Sequence, residues 1–322
     1  MGTLVTGGMG FIGSHLVKQL LDNGESILVL DDLSGSHKDN LKSHINHKNL
    51  KIIEGSILNT GLVGSLMRKV SKCYHLAAIL GVERINQDPI KALNVNLQGS
   101  EIVLTTASKF GVKTLLASSS EVYGKNIAVP LKEESDRVLG STKINRWSYS
   151  DAKALDEMYA FELHKRESLP VIVARFFNTV GPRQSGSYGM VLPRFVEAAL
   201  SNKPLVVYGD GTQSRTFCSV FDVVQAIVAL MEPEDCIGHI FNIGSSNEIK
   251  IKELADKVIL LTNSKSEIVY KKHSDVFGEY FEEPQRRVPD ISKIKKTIDW
   301  EPKRNLDEII IEIANNLRAN ES

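Results

Sequence analysis

The chain has 322 residues, 42% of them hydrophobic, so it can bury a substantial core in one large domain or two closely packed ones. Its 39 basic residues balance 39 acidic ones. That balance argues against nucleic acid or an anionic membrane as a partner, because no overall field draws the protein to either. The three cysteines are widely spaced and show no metal-ligand pattern, which favours a reducing cytoplasm and no bound metal.

Short apolar runs alternate with segments of helical period through the first half of the chain. Strands are predicted at 4–5, 27–30, 52–53, 74–78, 114–117 and 171–176, and helices at 12–21, 62–70, 90–110 and 149–165. Parallel strands need crossover helices between them. The alternation therefore predicts an α/β fold with a doubly wound parallel sheet.

After about residue 176 the alternation of strands and helices becomes less regular. Loops at 181–182 and 209–211 that contain Gly or Pro separate shorter elements there. A helix at 221–231 and a strand at 239–243 are expected to return to the main sheet. We therefore predict a main domain over 1–176 with about 220–245 returning to it. A smaller α/β substrate-binding lobe is predicted over 177–219 and 246–322.

A glycine-rich segment directly follows the first predicted strand and opens the first predicted helix. Gly7 permits a tight turn, Gly10 lets the backbone approach a pyrophosphate, and Gly13 allows close helix packing. Asp31 ends the second strand, where a carboxylate accepts the ribose hydroxyls of a dinucleotide. Since Asp31 repels a 2′-phosphate and no arginine follows at 32–36, the pattern predicts NAD rather than NADP. The alternative is a plain glycine turn beside an exposed acid.

Tyr149 and Lys153 stand four residues apart at the start of a predicted helix, so they share one face. A cation beside a phenol lowers the phenol pKa from about 10, which lets the phenol act as a base. Such pairs are common by themselves. This one follows Ser119, Ser120 and Glu121 at the carboxyl end of a predicted strand, where α/β proteins bind ligands. The position favours a catalytic pair.

Together these motifs resemble the extended short-chain dehydrogenase/reductase family of nucleotide-sugar epimerases, dehydratases and decarboxylases, which has a Rossmann-like fold. Further marks of the resemblance are His-Leu-Ala-Ala at 75–78, Asn-Leu-Gln-Gly at 96–99, Ser-Ser-Glu-Val-Tyr-Gly at 119–124, Arg-Phe-Phe-Asn-Thr-Val-Gly-Pro at 175–182, and Tyr-Gly-Asp-Gly-Thr-Gln-Ser-Arg at 208–215. The resemblance covers almost the whole chain.

The resemblance implies a role for each site residue. Tyr149 takes the proton of the sugar C4 hydroxyl as hydride passes to NAD, Lys153 lowers the pKa of Tyr149, and Ser119 binds the substrate. Asn178, Arg215 and Arg287 hold the diphosphate or the sugar, with Val191 and Tyr208 near the base. Besides the glycines and Asp31, cofactor contacts are implied for Phe11, Ile12, Asp32, Ser34, Ser56, Ile57, Leu76, Ala77, Ala78, Asn96, Tyr149 and Lys153. The implied substrate is a nucleotide-diphosphate sugar, with a UDP-sugar favoured. The implied assembly is a homodimer through a four-helix bundle formed by 89–109 and 150–165.

Two positions depart from the family pattern. Many relatives have Asp where this chain has Ser56, so the contact to the adenine amino group is weakened or lost. Many epimerases have Asp directly after the arginine at 215, where this chain has Thr216.

Ser120, Glu121 and Arg287 bear on the reaction that follows C4 oxidation. Dehydratases of the family carry an Asp-Glu pair at 120–121, and a hydroxyl is a poor general acid in place of that Asp. Simple 4-epimerases need no carboxylate at 121, whereas decarboxylases show Ser-Glu-Val-Tyr-Gly and an Arg-x-Pro-Asp sequence like that at 287–290. We expect a UDP-glucuronate decarboxylase-like enzyme.

Several alternatives stay open. Within the family they are a nucleotide-sugar 4-epimerase and, further, a 4,6-dehydratase or C4 dehydrogenase. From other classes they are a redox-sensing regulator without catalysis and a simple alcohol dehydrogenase acting on free sugars. Glu121 also has a plain structural alternative, since a carboxylate can merely orient its loop.

Overall fold

The computed structural model describes residues 2–81, 85, 87–186, 190–272, 282 and 284–321. The outermost residues of the predicted domains, 1 and 322, lie outside this description, as do 273–281 and 283 of the predicted smaller lobe. None of the described helices is long and apolar enough to cross a membrane.

The described strands and helices alternate through the first half of the chain. The strands are β1 (Gly2–Thr6), β2 (Ile27–Asp31), β3 (Leu50–Glu54), β4 (Val70–His75), β5 (Lys113–Ser119), β6 (Val171–Phe176), β7 (Thr179–Val180), β8 (Leu205–Tyr208), β9 (Ser214–Thr216), β10 (Cys218–Ser219), β11 (Ile240–Ile243), β12 (Glu248–Lys250) and β13 (Ile268–Lys271). The helices are α1 (Phe11–Asp22), α2 (Thr60–Met67), α3 (Pro89–Phe110), α4 (Arg146–Glu167), α5 (Val191–Leu200), α6 (Val220–Leu230), α7 (Ile251–Thr262), α8 (Ser292–Ile298) and α9 (Leu306–Glu321).

Seven strands form one parallel sheet in the order β11-β6-β5-β4-β1-β2-β3. The strand order reverses beside β1, because the chain runs outward through β2 and β3 and then crosses back to β4. At such a switch point the loops after neighbouring strands part and leave a crevice at their carboxyl ends. The predicted doubly wound Rossmann-like sheet is confirmed.

Helices cover both faces of this sheet and bury its apolar side chains. Leu16 of α1 and Ile227 of α6 lie in a core on one face. Val103 of α3 and Leu163 of α4 lie in a second core on the other face. Burying one such side chain contributes about 1.5–3 kcal/mol. Both cores hold the carboxyl ends of the strands in fixed positions.

The second half of the chain adds a separate core beyond the carboxyl edge of the sheet. Phe195 of α5, Leu254 of α7 and Ile309 of α9 pack together there. Two short pairs of strands, β8 with β13 and β9 with β12, lie with these helices. β11, by contrast, pairs with β6 and completes the main sheet.

Candidate active site

A cavity of about 500 Å³ lies at the carboxyl ends of the sheet strands. Its walls come from the loops after β1, β2, β4 and β5, from the start of α4, and from β8 and β9 of the second half. Such concave sites at the switch point are where open α/β sheets bind their ligands.

The glycine segment forms the turn between β1 and α1 at one wall of the cavity. Gly7 has a φ of +70°, and a Cβ added there would lie 2.8 Å from the Ala77 nitrogen. A Cβ on Gly13 would lie 2.1 Å from the Gly7 carbonyl oxygen. The first turn of α1 therefore sits directly on the backbone of the loop. This bare backbone at a helix N-terminus fits the pyrophosphate of a dinucleotide.

Asp31 lies at the carboxyl end of β2 and is 7% exposed. One of its oxygens, Oδ2, accepts a hydrogen bond from the Met9 amide at 2.9 Å. The other, Oδ1, accepts from the Leu33 amide at 2.9 Å and from Ser36 Oγ at 2.7 Å. These contacts fix the carboxylate beside the glycine turn. A fixed negative charge there suits ribose hydroxyls and disfavours a phosphate, so the residues present fit NAD.

Most of the predicted cofactor residues line the cavity. They are Gly7, Gly10, Phe11, Ile12, Gly13, Asp31, Asp32, Ser34, Ile57, Leu76, Ala77, Ala78, Tyr149 and Lys153. Two predicted residues do not. Ser56 accepts a hydrogen bond from the Leu58 amide at 3.2 Å. Asn96 is buried, with its amide group bonded to the backbone nitrogen and oxygen of Ile79 at 2.7 and 2.9 Å. Asn96 therefore shapes the wall without reaching the cavity.

Tyr149 and Lys153 lie one turn apart at the start of α4, and both line the cavity. Burial raises the pKa of Tyr149, and the nearby carboxylates of Glu121 and Asp156 act in the same direction. The Lys153 charge and a hydrogen bond with Ser119 oppose this without reversing it. Lys153 thus acts on the Tyr149 pKa in the predicted direction, but the net shift is upward because burial outweighs it. Burial had been left out of that argument.

Glu121 follows Ser119 and Ser120 at the end of β5 and meets two arginines. Arg287 donates two hydrogen bonds to the Glu121 carboxylate, at 2.7 and 3.2 Å, and an Arg146 nitrogen lies 3.5 Å from the same group. Burial alone raises the pKa of Glu121, but the charges of Arg287 and Arg146 outweigh it and lower the pKa to about 2. Glu121 is therefore ionised at neutral pH and is a weak base.

The predicted substrate residues line the part of the cavity contributed by the second half of the chain. Asn178, Val191, Tyr208, Arg215 and Arg287 all lie on its wall, as do Ser119, Ser120 and Glu121. The Asn178 amide donates to the Thr216 carbonyl oxygen at 2.9 Å, which holds it beside Arg215.

Arg183 and Arg194 also line the cavity although no role was predicted for either, and Arg146 and Gln213 line it too. The Arg194 guanidinium lies 4.3 Å from the centre of the Tyr208 ring. Arg183 donates to Ser14 Oγ of α1 at 3.1 Å, so it bridges the glycine turn and the second half of the chain. A signal for Arg183 was present, because it directly follows the Gly-Pro loop at 181–182.

The family model described as GDP-mannose 4,6 dehydratase matches residues 4–313. The chain belongs to the GDP-mannose 4,6-dehydratase family. Curated relatives in this family confirm the resemblance to extended short-chain dehydrogenases/reductases. The chain is 40% identical to a UDP-N-acetyl-alpha-D-glucosaminuronate decarboxylase of Bacillus cytotoxicus, over 93% of this chain and 92% of the relative. It is 36% identical to UDP-glucuronic acid decarboxylase 6 of Arabidopsis thaliana, over 96% of this chain and 86% of the relative.

Solved structures of the family superimpose on the whole chain. A UDP-glucose 4-epimerase from Thermotoga maritima has a TM-score of 0.90 and 30% identity, and all of each chain is covered. A UDP-glucuronic acid 4-epimerase from Bacillus cereus, solved with UDP-glucuronic acid and NAD, has a TM-score of 0.90 and 27% identity, with 99% of this chain and 100% of that chain covered. The protein is therefore an NAD-dependent nucleotide-sugar enzyme of this family.

Proposed function

We propose that the protein decarboxylates a UDP-hexuronate after oxidising its C4 hydroxyl. The observation that carries this proposal is the group of charges beside the tyrosine: Arg287 and Arg146 converge on the single carboxylate of Glu121. Glu121 lies close enough to Tyr149 to influence its pKa. The charged group therefore belongs to the same end of the cavity as the C4 chemistry.

Arg287 and Arg146 both contact the one carboxylate of Glu121, and Arg215 also acts on Glu121 electrostatically. A group of guanidinium side chains in a partly buried site suits a carboxylate, because a guanidinium can bind a carboxylate through two parallel hydrogen bonds. A neutral hexose has no carboxylate for these guanidinium groups to bind. The site is therefore better matched to a sugar acid.

C4 oxidation turns the C6 carboxylate of a hexuronate into that of a β-keto acid. NAD held by the glycine turn and Asp31 would supply the hydride acceptor for C4 and the hydride donor for the later reduction of the ketone. Tyr149 acts as the phenolate, a form that the Lys153 ammonium stabilises, and takes the proton from O4 to become the neutral phenol as the ketone forms. The C5–C6 bond then breaks, carbon dioxide leaves, and the electron pair remains as an enolate on C5 and O4. A proton from solvent then adds to C5, and Tyr149 returns its proton to O4 as the C4 ketone is reduced.

This route does not require Glu121 to remove a proton, and the lowered pKa of Glu121 supports that. Dehydration needs a base for the C5 proton, but a carboxylate whose pKa is about 2 holds a proton poorly at neutral pH. Decarboxylation takes no proton from C5. The lowered pKa therefore favours loss of carbon dioxide over loss of water.

A 4-epimerase is the second candidate, because the Bacillus cereus neighbour is a UDP-glucuronic acid 4-epimerase solved with UDP-glucuronic acid. The purified protein should be incubated with NAD and, separately, UDP-glucuronate, UDP-N-acetylglucosaminuronate, UDP-glucose and dTDP-glucose, and the product masses read. Loss of carbon dioxide from either uronate supports the proposal. Unchanged mass with altered sugar stereochemistry supports epimerisation, and turnover of a neutral sugar alone refutes decarboxylation.

We also propose a homodimer through α3 and α4, in the cytoplasm. These helices pack against each other, yet Ile90, Leu155 and Met158 are 72%, 51% and 55% exposed. Large apolar side chains grouped on neighbouring helices are typical of an interface. Light scattering should give twice the chain mass, and Leu155→Arg with Met158→Arg should give the mass of one chain.

A further inference from the structure

Buried polar side chains link Lys153 to the backbone of the cavity wall. Lys153 Nζ lies 3.1 Å from Asp156 Oδ2, and both side chains are 2% exposed. Ser100 Oγ lies 2.9 Å from the same Asp156 oxygen and 3.1 Å from His75 Nε2. His75 Nδ1 lies 2.8 Å from Thr6 Oγ1, which accepts from the Ala77 amide at 3.3 Å. Ala77 lines the cavity.

The Asp156 carboxylate fixes the direction of every hydrogen bond in this network, because it can only accept. A carboxylate only accepts, so the Ser100 hydroxyl must donate its proton to Asp156. Ser100 Oγ then accepts from His75 Nε2–H, which leaves Nδ1 as an acceptor for the Thr6 hydroxyl. Thr6 in turn accepts from the Ala77 amide. Each hydrogen bond between Ala77 and Asp156 is therefore donated in the direction of Asp156. His75 is the neutral tautomer with its proton on Nε2.

Asp156 is the counterion of Lys153 among the charged groups that face it. Glu157 is engaged elsewhere, since it accepts from Arg175 at 2.6 and 2.9 Å and from Ser118 at 2.5 Å. Burial lowers the pKa of His75 to about 3, with the Lys153 charge acting in the same direction, so His75 carries no charge near neutral pH. Tyr149 completes the set around the ammonium.

We propose that Asp156 is a positioning residue that fixes the Lys153 ammonium beneath Tyr149 and ties it, through Ser100, His75 and Thr6, to the wall of the cofactor cavity. A lysine ammonium on a four-carbon stem has many rotamers, and a counterion within hydrogen-bond distance selects one of them. The link also makes the Lys153 position depend on the end of β4 and on α3. This inference rests on the proposed role of Lys153 and does not depend on which reaction follows C4 oxidation.

The test is Asp156→Asn, which keeps the shape and removes the charge. The control is Asp151→Asn on the same helix, where Asp151 is 47% exposed and pairs with Arg137 at the surface. With the nucleotide sugar that the substrate panel identifies, Asp156→Asn should lower kcat by about 10-fold to 100-fold and change KM by less than about threefold. The control should match the wild type in both values.

The pH profile separates positioning from general damage. Asp156 raises the pKa of both Tyr149 and Lys153, while Glu121 raises that of Tyr149 and Ser119 opposes it. Removing the Asp156 charge should therefore move both limbs of the kcat/KM profile to lower pH, by roughly one unit. Lost packing would lower the profile at every pH without moving it. An unmoved profile, or a kcat within about twofold of the wild type, overturns the inference.

A second measurement needs neither a substrate nor a variant at position 156. NMR spectra of the nitrogen-labelled histidine rings, with the His75 signals assigned by their loss in His75→Gln, should show the Nε2–H tautomer unchanged from about pH 5 to pH 9. The Nδ1–H tautomer, or a titration in that range, overturns the inference even if Asp156→Asn fails to fold. If no sugar turns over, the proposed function fails, while this spectrum still decides the inference.

Discussion

Replacing Arg287 with Gln tests whether the charges around Glu121 select a sugar acid. Arg287 has a side chain 4% exposed and makes the two shortest contacts to the Glu121 carboxylate. The backbone beside it is held independently, because Leu131 and Val288 share a hydrogen bond at 2.8 Å and Asp290 bonds back to Leu131 at 2.8 Å. Arg287→Gln should therefore fold and lose only the charge.

The size of the loss in activity follows from removing one positive charge beside Glu121. Without Arg287 the group loses one positive charge, and Glu121 stays ionised near neutral pH because Arg146 and Arg215 still lower its pKa. The site then holds a carboxylate that repels the substrate's own. Truncating one member of a buried charge pair costs about 2–5 kcal/mol. We expect kcat/KM for UDP-glucuronate to fall by about 30-fold or more, since about 1.36 kcal/mol corresponds to a factor of ten.

The assay compares an acidic and a neutral sugar in the same variant. The inhibition constant of UDP-glucose, measured against the uronate, should change by less than about threefold, because a neutral sugar makes no use of the charge. Arg286→Gln is the matched control, since Arg286 is 54% exposed and pairs with Glu248 at the surface. Equal losses for both sugars would contradict the reasoning and assign Arg287 to the diphosphate.

Three other substitutions test the remaining parts of the account. Tyr149→Phe should lower turnover by at least about 10²-fold, the range of a lost general base, with NAD affinity in a fluorescence titration unchanged. Gly13→Ala should weaken NAD binding and destabilise the fold by about 1–3 kcal/mol in urea, because its Cβ would lie 2.1 Å from the Gly7 oxygen. The control Gly64→Ala, with open space around its Cβ inside α2, should instead stabilise the fold by about 0.5–1 kcal/mol. Glu121→Gln should flatten the pH dependence of stability between pH 4.5 and about 2, since a carboxyl with a lowered pKa stabilises the fold above that window and loses the contribution as pH falls through it.

The main sheet could be predicted from the sequence because its strands are buried on both faces and stand out as short apolar runs. Strand β6 was predicted at 171–176 and lies at Val171–Phe176. Helix α4 was predicted from 149 but begins at Arg146. Its first turn includes Trp147, which is buried and donates to Glu282 at 3.0 Å. A contact across 135 residues leaves no trace in local periodicity.

The site could be predicted where function follows from local spacing and not where it depends on tertiary contacts. The glycine turn and Asp31 come from one β-α-β unit, so their spacing was informative. Glu121 and Arg287 were each noted as positions where the family branches, but they are 166 residues apart, and nothing local indicated that they pair. Asn96 was expected at the cofactor from the family resemblance, but a sequence motif does not show which way a side chain faces, and the amide of Asn96 binds the Ile79 backbone instead.

The proposal that carbon dioxide leaves from the C4 ketone can be tested in a single reaction. UDP-glucuronate and UDP-N-acetylglucosaminuronate, each carbon-labelled at the C6 carboxylate, should be incubated with the protein and NAD in heavy water. Decarboxylation predicts labelled carbon dioxide from at least one of them and a product pentose carrying one deuterium at C5. A product that keeps the labelled carboxylate, with its mass unchanged and its C4 configuration inverted, would contradict the account and assign the protein as a 4-epimerase.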